Sequence, residues 1–115
     1  MIGQWLQAFA LTVGVESAIA VPLLRAADDR LWRRVALVFF ANLASHPAVW
    51  FIFPRMGASY AVALLASETW AVAIEAVFYL VTLPEASRAR LLGVAMIANG
   101  ASWGVGEVLH ATTGW

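Results

Sequence analysis

AVALLASETWAVAIEAVFYLVTL, residues 61–83, is a run of 23 residues with no basic residue and no proline, and its only carboxylates are Glu68 and Glu75. A helix of about 20 apolar residues crosses the roughly 30 Å of hydrocarbon in a bilayer. A helix that is apolar on every face is buried in a large core or in lipid, and a short chain has no large core to offer. The run therefore predicts a membrane-spanning helix, and it places two ionisable groups where they are costly to hold.

Working outward, three more apolar stretches of that length lie between charged or proline-bearing turns: Gly3–Leu24, Trp32–Phe53 and Leu91–Leu109. The 115 residues are 63% hydrophobic and 12% charged. Soluble domains run at roughly 45–50% apolar and about 25% charged. The expected fold is all-α and integral to the membrane, one domain over residues 1–115 with four transmembrane helices. Ala18-Ile19-Ala20 has the look of a signal-peptide cleavage site, but the first stretch lacks a basic start and carries Glu16, so it is read as a retained helix.

All seven basic residues are arginine. Arg25, Arg30, Arg33 and Arg34 fall around the first turn, Arg88 and Arg90 in the third, and Arg55 alone in the second. The positive-inside rule then puts the first and third turns in the cytoplasm and both termini on the non-cytoplasmic side of an inner or plasma membrane. Trp5, Trp32, Trp50, Tyr60 and Trp115 fall near the span ends, where aromatic rings sit at headgroups. Trp70 and Trp103 fall deeper and are expected to pack inside the bundle.

Self-comparison finds a doubled unit. Ala41-Asn42-Leu43-Ala44-Ser45 matches Ala98-Asn99-Gly100-Ala101-Ser102, and Glu16 precedes Asn42 by 26 residues while Glu75 precedes Asn99 by 24. Each pair brackets an arginine-bearing turn. The chain reads as two tandem-repeat hairpins, 1–54 and 55–115, related by a pseudo-two-fold along the membrane normal. At about 1.5 Å per residue, Glu16, Asn42, Glu75 and Asn99 lie roughly 12–14 Å from the cytoplasmic ends, with His46, Ser102 and Glu68 in a layer further out. Helical spacing puts Asn42 with His46, Glu68 with Glu75, and Asn99 with Ser102 on common stripes. Lipid offers these groups no partners, so the stripes should turn inward and make the bundle core polar.

That set defines the candidate site. Carboxylates and amide oxygens at one depth suit a proton or a hard cation, and two facing carboxylates repel unless one lies between them. Glu16, Glu75, Asn42, Asn99, His46, Glu68 and Ser102 are the candidate ion- or proton-binding residues. The expected function is a small transport or permeation protein. A second reading makes His46, Glu68 and Glu75 ligands of a divalent metal that activates water in an intramembrane hydrolase-like enzyme. In a third, the chain is an assembly subunit of a larger membrane complex, with the polar groups gluing helices.

Pro47 removes the amide partner of the Leu43 carbonyl and should kink the helix beside His46. Gly100, Gly104 and Gly106, and Ala10, Gly14 and Ala18, make smooth faces suited to close helix packing within or between protomers, so a homo-oligomer or a complex is expected. Glu107 and His110 are read as mouth or surface groups. There is no cysteine, which excludes disulfides and thiolate chemistry. The formal net charge is zero, and without a basic run no nucleic-acid partner is expected.

The order Glu16, then Asn-x-x-Ser-His-Pro from Asn42 to Pro47, then Glu-x6-Glu from Glu68 to Glu75, then Asn-x-x-Ser from Asn99 to Ser102 resembles that of small, uncharacterised prokaryotic four-span membrane proteins. The resemblance spans nearly the whole chain. It implies the fold and brings no activity with it.

Overall fold

The apolar runs become four helices in a computed structural model that describes residues 2–113: α1 (Ile2–Leu23), α2 (Leu31–Phe51), α3 (Tyr60–Thr82) and α4 (Arg88–Thr113). A 3-10 turn, Phe53–Arg55, follows α2. Trp115 lies outside the described residues. Each of the four helices is long and apolar enough to cross a membrane. The 40 Å long axis is close to the roughly 40–45 Å of a bilayer with its headgroups. Large apolar side chains such as Val62, Leu65, Val81, Met96 and Ile97 stand on the outer surface. Water would penalise so broad an apolar exterior; hydrocarbon would not.

Serine side chains cap the starts of two helices. The Ser59 hydroxyl accepts from the Val62 amide and starts α3, and Ser87 accepts from the Arg90 amide at the start of α4. Arginine is a good helix former, so α4 begins in the arginine turn at Arg88 and runs on to Thr113, past both expected ends. The turn before α3 uses Gly57 at φ +75, the left-handed region that glycine enters without penalty. Pro47 lies within α2 and does not end it.

Each helix packs against its two neighbours around a ring, α1 on α2 and α4, α3 on α2 and α4. In neither diagonal pair do the backbones come within 8 Å, Cα to Cα, among the described residues, so diagonal helices meet only through side chains at the centre. The apolar core fills the half of this ring nearer the arginine-rich turns. Ala20, Leu24, Leu37, Val38, Ala41, Tyr79, Leu91, Ala95 and Ala98 are buried there.

The arginines fasten the same end. Arg34, itself buried, donates to the Val21 carbonyl, Arg90 to the Leu23 carbonyl at 3.2 Å, and Arg33 to the Thr82 carbonyl at 3.3 Å. Three cations thus sit on the C-terminal carbonyls of α1 and α3, where the helix dipole is negative. Asp28 pairs with Arg30 at 3.1 Å and Arg33 at 3.0 Å, and the Arg30 guanidinium holds its carboxyl below the usual carboxylate range.

One expectation needs correction and another narrows to contacts between protomers. Trp70 and Trp103 are not buried in the core; they are 37% and 44% exposed, and Trp103 stands between the central cavity and the outer groove. The centre of this half is a cavity and offers no packed interior to enter. The smooth glycine faces also do not serve packing within the chain. A Cβ built on Gly14, Gly100, Gly104 or Gly106 meets nothing within 4 Å, so no neighbouring helix approaches closely there.

Candidate functional site

The polar stripes do turn inward. Glu16, Asn42, Ser45, His46, Ser67, Glu75 and Asn99 are buried, Glu16 at 0% and Glu75 at 1% exposure. They mark the level at which the apolar core stops. Beyond it, toward the arginine-poor end, the bundle holds a cavity of about 200 Å³ whose wall includes Thr12, Asn42, Ser45, His46, Glu68, Asn99, Ser102 and Trp103.

Asn42 and Asn99 form the cavity floor by the same local means. The Nδ2 of Asn42 donates to the Val38 carbonyl at 2.8 Å, and that of Asn99 to the Ala95 carbonyl at 2.8 Å. A carbonyl only accepts, so this contact fixes each amide with its oxygen left to accept elsewhere. One turn on, Ser45 donates to the Asn42 carbonyl at 3.4 Å and Ser102 to the Asn99 carbonyl at 3.1 Å.

Glu16 and Glu75 do not line the cavity. They lie behind the floor, side by side across the bundle, with Asn99 and Ser45 next to Glu75. The Ser45 hydroxyl is 3.4 Å from Glu75 Oε2, near enough to donate there in place of its bond to Asn42. Both Glu16 oxygens and Glu75 Oε1 are buried without a partner. Two ionised carboxylates can only accept, so neither can bond the other. One proton held between them turns one into a donor to the other, removes one of the two charges and leaves one carboxyl oxygen of Glu16 without a partner. A carboxylate left charged and unpaired in an apolar interior would cost several kcal/mol by general estimate.

The remaining candidates sit on the wall. The Nε2 of His46 lies 3.4 Å from Thr12 Oγ1, and its ring packs edge-on against Phe9 at 5.5 Å and obliquely against Trp5 at 6.3 Å. Its Nδ1 is buried without a partner. Trp70 donates from its indole to the Ser45 carbonyl at 3.2 Å, tying α3 to α2. At the mouth, Tyr60 donates to Glu107 Oε1 at 3.1 Å. Among the described residues no three His, Asp or Glu side chains converge into a metal-ligand set; His46, Glu68 and Glu75 do not form one.

Sequence reasoning passed over Thr12, Ser45 as a partner of Glu75, and the cavity-lining role of Trp103. Thr12 was within reach, since it precedes Glu16 by four residues and so shares its stripe. The position of Trp103 carried no such signal, because ring direction depends on what fills the centre. Comparison with protein-family models, with curated proteins and with solved structures finds no match for this chain.

Proposed function

We propose that the chain is a small membrane transport protein in which Glu16 and Glu75 bind an exchangeable proton or small cation. The observation that carries this reading is the sealed carboxyl pair behind the Asn42 and Asn99 floor of a cavity that extends toward the arginine-poor end. Gluing helices needs Ser, Thr or Asn at most; two facing carboxyls add a group whose charge can change. A proton fits best, because it supplies the donor that the pair lacks, whereas a hard cation prefers about six or more oxygens.

The protein is proposed to lie in an inner or plasma membrane with the arginine-rich turns in the cytoplasm. The cavity then faces the outside, and the packed half is the closed side of a site with access from one side at a time. The matched bonding of Asn42 with Ser45 and of Asn99 with Ser102 supports two tandem hairpins, 1–54 and 55–115, about a pseudo-two-fold between α1/α3 and α2/α4. The unpacked glycine faces support assembly with further copies or with a larger complex. The metal-enzyme reading draws no support from the placement of His46, Glu68 and Glu75.

The test is Glu75→Gln in proteoliposomes carrying an internal pH dye. Proton flux down an imposed gradient is expected to fall at least tenfold while the helical circular dichroism is unchanged. Flux equal to that of the unaltered protein would overturn the proposal.

A further inference from the structure

Glu68 is used by none of the contacts above. It is half-buried and makes no hydrogen bond or ion pair among the described residues. Its side chain borders three adjoining spaces. One is the central cavity, the second is a space of about 620 Å³ at the mouth beside Tyr60 and Glu107, and the third is a groove of about 670 Å³ between α3 and α4. Leu64 and Trp103 border all three as well.

The groove is on the outer surface, where a bilayer would meet it. Leu65, Val72, Met96 and Trp103 make its wall apolar, and Gly100 leaves it open on the α4 side. Its volume lies within the roughly 300–1,000 Å³ of pockets that hold drug-sized molecules. No arginine borders any of the three spaces, and Glu68 is joined there by the carboxylate of Glu107 at the mouth. An apolar trough bordered by one unpaired carboxylate and an indole describes a particular ligand chemistry: an apolar body bearing a single positive charge. The carboxylate supplies the counter-charge and Trp103 supplies cation–π attraction.

We infer that Glu68 and Trp103 form a binding site for a lipophilic organic cation, which enters sideways through the groove between α3 and α4 and reaches the central cavity past Glu68. This rests on the transport reading, for which it names the substrate class. The cation would occupy the outer layer, and the Glu16–Glu75 pair would hold the proton exchanged against it.

The test uses benzyltrimethylammonium and its neutral isostere neopentylbenzene, in equilibrium dialysis against the full chain in nanodiscs of zwitterionic lipid, with empty nanodiscs subtracted. About one benzyltrimethylammonium per chain is expected. Glu68→Gln should weaken its binding at least tenfold and leave neopentylbenzene unaffected. Gly100→Leu, which fills the groove without touching the carboxylate, should weaken it by a similar factor and guards against a misfolded Glu68 variant. Binding no greater than in empty nanodiscs, or equal in Glu68→Gln, would overturn the inference; so would binding that Gly100→Leu leaves intact. Proton flux separates the two ideas. Flux that depends on Glu75 without cation binding would sink this inference alone, and cation binding with flux indifferent to Glu75→Gln would sink the transport reading.

Discussion

The two ends of this bundle are built from the same four helices but on opposite plans. Toward the arginine-rich turns the centre is filled by alanine, leucine and valine, and arginines from α2 and α4 are fixed to the last carbonyls of α1 and α3. Toward the other end the centre is a cavity, and the ties noted there are single contacts such as Tyr60 to Glu107 and Trp70 to Ser45. The boundary between the plans is the layer of Glu16, Asn42, Glu75 and Asn99. The difference supports the transport reading proposed above over one in which the polar layer only glues helices. Glue would sit within packed surroundings on both sides, whereas here one side is closed by packing and the other is left open.

The largest expected effect that separates the halves is on stability. Leu91 is fully buried in the packed half, so Leu91→Ala should cost about 2–4 kcal/mol in equilibrium unfolding from detergent micelles. Leu64 borders the cavity, where removing atoms enlarges a space already present, and Leu64→Ala should cost less than about 1 kcal/mol. Equal losses at the two positions would break the comparison.

A smaller effect sharpens it. Gly93 in the packed half and Gly104 in the hollow half both have open space where a Cβ would go. Replacing either with alanine should therefore raise stability by about 0.5–1 kcal/mol through helix propensity alone. A gain at Gly93 with a loss at Gly104 would mean that a second copy already covers the smooth face of α4, and would favour the assembly role over a free-standing carrier.

The halves were only partly legible in the sequence. Long apolar runs gave four helices because hydrocarbon length is a constraint that no other interaction overrides. Glu16, Asn42, Glu75 and Asn99 could be placed at one level because rise per residue is fixed, and their inward direction followed from the lack of partners in lipid. The cavity could not be read, since it depends on which side chains fail to fill a cross-section. Trp103 illustrates this: its depth suggested a core residue, but the space beside Asn99 and Ser102 is held open, so the ring lies on the wall. The arginines were legible as a charge bias and not as caps. Their role at Val21, Leu23 and Thr82 arises only when helices distant in sequence meet.

The most direct test of the one-sided cavity uses the absence of cysteine from the chain. Ser102→Cys and Ala95→Cys place single thiols on α4 about 10 Å apart along the axis, the first on the cavity wall and the second in the packed core. Each would be exposed in proteoliposomes to a membrane-impermeant maleimide from one side and then the other. Labelling of Ser102→Cys from the arginine-poor side alone, with Ala95→Cys unlabelled from both, is the expected result. Labelling of both thiols at similar rates, or of Ser102→Cys from the arginine-rich side, would contradict the claim that this bundle is closed at one end and open at the other.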